Sequence, residues 1–185
     1  MNKSSINRKE IHKFIIESRS NGKLDQEIYN ELVLKYYDKK TIALLISGTV
    51  KNEHKEKYKA SNTLLLVLIG ITILFKFIAV INLSIEYDKL WALLLVFIIP
   101  LINVYFFYEV YRYNAMIYKV IGLLTIASIF KSISSAVDGY LLDIIISLIL
   151  GGGIIYLSFY LSNKLIPNYK PNKLIKDSKG DFILN

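Results

Sequence analysis

Four polar side chains stand inside stretches that are otherwise apolar, and they are the first candidates for chemistry: Lys76, Asn103, Lys119 and Asp143. A charged side chain at the centre of a bilayer costs about 2.5–3.5 kcal/mol on insertion scales, so it needs a partner or a water-filled cavity. We expect Lys76 to face the interior of a helical bundle or an outward cavity. Its expected partner is a carboxylate: Asp143, Asp138 or Glu86. The alternative is that Lys76 snorkels to the outer surface of the membrane.

A second polar set is expected near the cytoplasmic ends of two membrane helices. Asn103 and Lys119 lie within about one turn of those ends, and Glu109 and Arg112 occupy the link between the two helices. Together they predict a polar vestibule below the bundle. The alternative is that they are ordinary interface residues that flank a turn.

Glycine and proline mark places where the apolar helices can bend or approach one another. Gly151, Gly152 and Gly153 interrupt the last apolar stretch near its middle. Small residues favour close helix packing, whereas an unwound segment that serves as a gate or a substrate site is the alternative. Pro100 predicts a kink in the second apolar stretch.

The composition disfavours most enzymatic and metal chemistry. There is no cysteine, and the two histidines, His12 and His54, lie outside the apolar region. Thiolate sites, disulfides and a histidine metal cage are therefore not expected. The chain also lacks the sequence motifs of serine hydrolases, zinc peptidases and nucleotide-binding loops. We expect no catalytic residue, no metal and no cofactor, and we interpret the protein as non-enzymatic.

The elements that must position the polar residues are long apolar helices. Residues 63–83 form about 21 consecutive, mostly apolar positions, or roughly 31 Å of helix, which is the thickness of a bilayer core. Three further stretches, residues 90–108, 115–135 and 140–161, have similar length and character. The sequence therefore predicts an all-α membrane protein with a bundle of four transmembrane helices over residues 63–163.

A small helical module is predicted in front of the membrane bundle. Residues 1–50 contain three amphipathic segments, and Asn7, Asp25 and Asp38 are placed to cap them. Leu24 and Tyr29 have the spacing of a hydrophobic staple for the second helix. The expected product is a three-helix cytoplasmic bundle. A charged linker (residues 51–62) should continue the third helix towards the membrane, and a basic cytoplasmic tail (residues 164–185) should be extended.

The run GKLDQEIYNELVLKYYDKKTIALLI, residues 22–46, resembles small helical modules of the ubiquitin-associated or helix-turn-helix kind. The run covers about one seventh of the chain, and the resemblance implies three short packed helices. A helix-turn-helix relationship would also imply DNA binding. We interpret nucleic acid as an unfavoured partner, because the third helix offers mostly Ile, Leu and Ala where base readout uses Arg, Asn or Gln.

Charge distribution predicts the orientation. The net charge is +8, and basic residues outnumber acidic ones in both terminal regions. By the positive-inside rule both termini are expected in the cytoplasm, which agrees with an even number of spans. Abundant Ile, Lys, Asn and Tyr favour a bacterial inner membrane. Four lysines before the first span form a predicted contact for anionic lipid: Lys51, Lys55, Lys57 and Lys59.

Two functions remain open from the sequence. In the first, the module of residues 1–50 senses or recruits a protein partner or a second copy, and the bundle anchors it or forms part of an oligomeric pore. In the second, the protein is a small transporter or lipid-handling protein with a polar site near Lys76 and the bend at Gly151–Gly153. The first predicts polar faces at a subunit interface, whereas the second predicts a polar cavity within one chain.

Overall fold

The computed structural model describes residues 7–87, 90–134, 141–167, 169, 175 and 180–184; within these ranges the side chains at 80, 83–87, 90–100, 134 and 141–144 are not described. All elements in the described ranges are α-helices: α1 (Arg8–Ser20), α2 (Asp25–Lys35), α3 (Lys39–Gly48), α4 (Asn52–Lys57), α5 (Lys59–Tyr87), α6 (Leu90–Tyr111), α7 (Ala115–Ser134) and α8 (Leu141–Leu165). The chain divides into two compact units, residues 1–54 with 165–185, and residues 55–164.

The first unit is built on a core of aliphatic side chains from α1, α2 and α3. Spacings of three and four residues place these side chains on the inner face of each helix. Tyr29 adds an aromatic ring to the core, and burial raises the pKa of its hydroxyl. The buried aliphatic members are Ile11, Ile15, Ile28, Leu32, Ile42, Ala43 and Ile46. We call α1–α3 the module.

The ends of the module helices are closed by side chains. Asn7 caps α1 through a hydrogen bond from the amide of Lys9, at 3.2 Å. Asp38 caps α3, where its carboxylate accepts the hydroxyl of Thr41 at 2.6 Å and the amide of Thr41 at 3.0 Å. These hydrogen bonds, the one from the hydroxyl first, lower the pKa of Asp38. Both residues were predicted as caps, and at these two helices the structure agrees.

Asp25 differs from its predicted role as a cap. It is the first residue of α2, and its carboxylate accepts two hydrogen bonds from the guanidinium of Arg19, at 2.7 and 3.1 Å. Arg19 also donates to the carbonyl oxygens of Thr49 and Ile46, at 2.7 and 2.9 Å, and so satisfies the end of α3. The start of α2 is satisfied instead by Glu27, whose carboxylate accepts the amide of Leu24 at 3.0 Å.

Two local expectations in this region are corrected. Leu24 is 68% exposed while Tyr29 is buried, so these side chains do not form the expected hydrophobic staple. The linker does not continue α3. That helix ends at Gly48, the short helix α4 follows, and α5 begins at Lys59 after a turn at Tyr58.

The end of the chain packs into the module rather than standing apart as an extended tail. Phe182 is 6% exposed and belongs to the same core as the module helices. Its ring meets the ring of Tyr29 edge to face, with centroids 6.4 Å apart. We call residues 181–184 the tail segment.

The second unit contains the long apolar helices. Three of them are long and apolar enough to cross a membrane, over Lys59–Ala79, Ala115–Ile133 and Ile145–Leu165. The observed helices α5–α8 begin within four residues of the predicted spans. They end up to four residues later or, for α7, one residue earlier. Pro100, predicted to kink the second span, lies within α6, but its side chain is outside the described residues.

Helices α5–α8, called the bundle below, have large apolar side chains both inside and outside, and several polar side chains are buried among them. Leu123 and Ile149, for example, are 60% and 69% exposed. Asn62, Ser158 and Ser162 are buried. In water this arrangement would be unfavourable, because exposed apolar surface is costly. It suits a surface that faces lipid.

Candidate functional site

A cavity of about 780 Å³ lies between α5, α6, α7 and α8, and Lys76 is on its wall. One face of α5 contributes Ile69, Thr72, Lys76 and Ala79, which recur at helical spacing. The remaining walls are mostly aliphatic and aromatic side chains from the other three helices. We call this space the Lys76 cavity.

Lys76 is half-buried in this wall. Among the lining residues that the structure describes, Lys76 alone carries a charge. The described carboxylates all lie elsewhere, and none forms an ion pair with Lys76. The predicted partners Asp143, Asp138 and Glu86 lie outside the described residues or side chains. The cavity wall therefore presents a cation to a largely apolar space.

Hydroxyl groups complete the polar part of the cavity. Thr72, Thr125 and Ser132 donate to carbonyl oxygens of their own helices, at 2.7, 2.8 and 3.1 Å. Their hydroxyl hydrogens are therefore engaged. Further polar lining comes from Asn82, Asn103, Ser128 and Ser147. This lining combines one cation with several small groups that can form hydrogen bonds.

The structure does not group the residues of the predicted vestibule. Asn103 lines the Lys76 cavity, whereas Lys119 is exposed and does not line it. Glu109 accepts a hydrogen bond from Asn114 at 2.6 Å. The guanidinium of Arg112 lies 5.4 Å from the ring centre of Tyr108. Glu109 and Arg112 thus interact locally around the turn after α6.

The glycine run allows close packing while α8 remains helical through all three residues. A Cβ at Gly151 would lie 2.7 Å from Cδ1 of Ile129, and one at Gly153 would lie 3.1 Å from Cδ1 of Leu68. At Gly152 a Cβ would meet nothing within 4 Å. Gly151 and Ile129 both line the Lys76 cavity.

A buried polar cluster joins α5, α6 and α7 at one end of the bundle. The hydroxyl of Tyr118 donates to Oδ1 of Asn62 at 2.6 Å, and Nδ2 of Asn62 donates to the carbonyl oxygen of Val110 at 3.2 Å. Asn62 and Tyr118 are 2% and 0% exposed. Since buried polar groups must find partners, this cluster fixes where the three helices meet. We call it the Asn62 cluster.

The turn beside the Asn62 cluster has an unusual residue in its left-handed position. Tyr113 has φ +58°, where glycine is the ordinary choice. The amides of Tyr113 and Asn114 donate to the carbonyl oxygens of Val110 and Glu109, both at 3.0 Å, which is the Schellman pattern. Burial raises the pKa of Tyr113, and a hydrogen bond with Asn62 opposes this shift.

Two buried hydroxyls on α8 differ from this satisfied cluster. Ser158 and Ser162 are one turn apart and buried, and neither Oγ has a hydrogen-bond partner among the described residues. Leaving a buried hydroxyl unsatisfied is costly. They lie outside the lining of the Lys76 cavity.

The four lysines before the first span are placed in different environments. Lys51 lies 3.4 Å from the carboxylate of Asp25. Lys57 lies 5.7 Å from the ring centre of Tyr58, and Lys59 lies 3.9 Å from the carboxylate of Glu56. Lys55 is half-buried.

Sequence reasoning singled out Lys76 and Gly151 but did not place Asn103 with them. The helical spacing of Thr125, Ser128 and Ser132 on α7 was an available signal for a polar stripe. The Asn62 cluster had no such signal, because its partners are far apart in the chain. No group of three or more residues suited to a metal was found in the described part of the chain.

Comparison of the chain with protein-family models, with curated proteins and with solved structures finds no match in any of the three.

Proposed function

We propose that this is a non-enzymatic, lipid-handling membrane protein that binds an anionic amphiphile in the Lys76 cavity. The observation that carries the proposal is a cavity within one chain whose wall combines one cation with apolar side chains. A ligand with an acidic head and an acyl chain matches both parts: the head accepts hydrogen bonds from the ammonium, and the chain contacts aliphatic side chains.

The size of the cavity supports a small amphiphile. Ligand sites in proteins typically occupy about 300–1,000 Å³ and have mostly apolar walls with a few polar groups. The Lys76 cavity, at about 780 Å³, falls within this range. A fixed positive charge also disfavours a metal cation or a proton as the species that occupies it.

The proposal includes a membrane arrangement with four spans. Three helices qualify by length and composition, and α6, with 22 residues, is the proposed fourth. Four spans and the positive-inside rule would place both termini in the cytoplasm of a bacterium, with Lys76 nearer the outer leaflet. Lysines 55, 57 and 59 would then lie at the cytoplasmic surface, where anionic lipid headgroups attract them.

The role of the Lys76 charge can be tested by binding. A fluorescent long-chain fatty acid is added to the full chain in nanodiscs of uncharged lipid. We expect saturable binding that weakens at least tenfold in Lys76→Gln. Lys119→Gln is the matched control, because Lys119 is exposed and lies outside the cavity lining. An uncharged analogue, the corresponding alcohol, should bind the wild type no better than the acid binds Lys76→Gln. Equal affinity of the acid for wild type and Lys76→Gln would refute the proposal.

A glycine pair tests the shape of the cavity. A methyl group at Gly151 would lie 2.7 Å from Ile129 and displace this side chain of the cavity wall, whereas one at Gly152 meets nothing within 4 Å. We expect Gly151→Ala to weaken binding and Gly152→Ala to leave it unchanged. Equal effects of the two substitutions would place the ligand elsewhere.

The oligomeric pore is the competing function. It predicts that polar residues face a second copy, whereas the polar groups around Lys76 line a space inside one chain. Electrical recording from reconstituted protein distinguishes the two. Ion flux that is abolished by Lys76→Gln, together with a stable oligomer in native lipid, would favour the pore over ligand binding.

A further inference from the structure

The tail segment is held by the module through contacts that resemble those between a domain and a peptide ligand. The side-chain amide of Gln26 donates to the carbonyl oxygen of Phe182 at 3.3 Å and accepts the amide of Leu184 at 2.8 Å. The hydroxyl of Tyr29 accepts the amide of Phe182 at 3.3 Å. Gln26 thus pairs with the main chain as a neighbouring strand would.

The side chains of the tail segment alternate as they do in an extended bound peptide. Phe182 is buried against the module core, and Leu184 packs partly against it. Ile183, between them, is 45% exposed. Successive side chains of extended backbone point to opposite sides, so an aromatic and an aliphatic anchor two residues apart face the module.

An ion pair with Lys39 favours an acidic residue at position 181, directly before Phe182. Nζ of Lys39 lies 2.7 Å from the carboxylate of Asp181, and both side chains are partly exposed. Lys39 is the first residue of α3, directly after its cap Asp38. An acidic group at a helix start is also favoured by the helix dipole. The contact therefore adds charge selectivity at the rim while Phe182 occupies the core.

We propose that Gln26, Tyr29 and Lys39 form a peptide-recognition groove for the pattern acidic–aromatic–any–aliphatic, and that the chain's own tail segment occupies it as a detachable ligand. Release of the segment would expose the groove. This inference does not rest on the proposed lipid site, because all its residues belong to the first unit.

Several features support detachment. Among the described residues, the contacts of the segment with the groove include one buried side chain, Phe182, and main-chain hydrogen bonds with Gln26 and Tyr29. They also include the partly exposed ion pair with Lys39. A further hydrogen bond, from the amide of Ile183 to the carbonyl oxygen of Ile175 at 3.0 Å, is made within the C-terminal region and not with the groove. The module helices also have a core of their own, which includes Ile15, Ile28 and Ile46, each 0% exposed.

The test begins with the complete, folded chain in nanodiscs. A protease recognition sequence is inserted between positions 178 and 179, and the chain is cleaved after reconstitution. A fluorescent synthetic peptide, KGDFILN, is then added. We expect it to exchange into the module within the measuring time and to bind saturably, whereas uncleaved protein should bind it at least tenfold more weakly. No exchange after cleavage would mean that Phe182 is a permanent part of the core, and would overturn the proposal.

Matched variants test the recognition pattern. A peptide with alanine in place of the phenylalanine should not exchange, and Gln26→Ala should weaken binding of the native peptide at least tenfold. Lys13→Ala serves as the control that should leave binding unchanged, because the Lys13 side chain is 79% exposed and pairs with Glu17 rather than with a groove residue. Unchanged affinity of Gln26→Ala would contradict the groove.

A cysteine pair tests whether the ligand comes from the same chain. The protein has no cysteine of its own, so Gln26→Cys with Leu184→Cys gives a unique pair. A disulfide within the monomer is expected. Covalent dimers in its place would show that the tail segment of a second copy occupies the groove, and would overturn the proposal for the same chain.

Discussion

The two units differ in what they expose. The module buries aliphatic side chains and keeps most charges outside, except for the buried ion pair of Arg19 and Asp25. The bundle also buries aliphatic side chains such as Leu65, but it exposes Leu123 and Ile149. The outer surface of the module therefore suits water and that of the bundle suits lipid, and hydrogen bonds such as those of Asn62 add to the packing inside the bundle.

Removal of Arg19 should have the largest effect. Arg19→Ala leaves the largely buried carboxylate of Asp25 with Lys51 alone, 3.4 Å away, and uncaps the end of α3, so we expect a loss of about 3 kcal/mol of module stability. Hydrogen exchange of α1–α3 peptides from the intact protein measures it. The control is Lys13→Ala, which removes an ion pair with Glu17 whose side chains are 79% and 61% exposed. It should cost less than about 1 kcal/mol. An equal loss of stability in Arg19→Ala and Lys13→Ala would contradict a stabilising role of the buried ion pair between Arg19 and Asp25.

A lysine on the outside of each unit tests the two solvents directly. Leu123→Lys should disfavour membrane insertion by about 2.5–3.5 kcal/mol, because the side chain would face hydrocarbon. Leu34→Lys, at a module position that is also well exposed, should change stability by less than about 0.5 kcal/mol. The fraction of Leu123→Lys recovered in membranes and the hydrogen exchange of the module in Leu34→Lys are the measurements. Normal insertion of Leu123→Lys would mean that this face of α7 does not contact lipid.

The Asn62 cluster tests whether hydrogen bonding organises the bundle. Asn62→Leu leaves the hydroxyl of Tyr118 without its shortest hydrogen bond, and should lower bundle stability by about 1–2 kcal/mol. Thermal unfolding in detergent measures this. Asn114→Ala removes an exposed hydrogen bond to Glu109 and should have a smaller effect. A bundle that is indifferent to Asn62→Leu would weaken the contrast between the units.

Ser158→Ala should give the smallest effect, with the opposite sign. Its hydroxyl is buried without a partner among the described residues, so its removal should leave the bundle equally stable or more stable by up to about 1 kcal/mol. Ser132→Ala is the comparison, because the hydroxyl of Ser132 donates to the carbonyl oxygen of Ser128 and its removal should not increase the stability of the bundle. A clear loss of stability in Ser158→Ala would show that the hydroxyl has a partner, such as a bound water or a ligand.

Local rules predicted the local features well. Apolar length predicted the long helices α5–α8, of which three are long and apolar enough within the described residues to cross a membrane. Capping chemistry predicted the starts of α1 and α3 at Asn7 and Asp38. The cap of α2 was wrong because a stronger partner competes for Asp25: Arg19 arrives from the end of α1 with two hydrogen bonds. The sequence pattern around Asp25 does not predict its interaction with Arg19.

Features that depend on distant parts of the chain were not predictable in the same way. Phe182 meets Tyr29 across about 150 positions, and its segment, rich in lysine and proline on the preceding side, is typical of an unpacked tail. Lys76 was recognised because a charge inside an apolar helix is conspicuous. The approach of Asn103 to the same cavity required the packing of α5 against α6, which periodicity alone does not specify.

The covalent link between the tail segment and the module sets the effective concentration of Phe182 at the groove. A ligand that is tied to its site by a short stretch of chain acts at an effective concentration in the millimolar range. A free competitor at micromolar concentration would therefore need about a thousandfold higher affinity, or roughly 4 kcal/mol, to displace the segment by half. A weakly binding peptide would therefore not displace the tail segment from the groove. Only a tightly binding peptide, or one concentrated on the same membrane surface, would displace it.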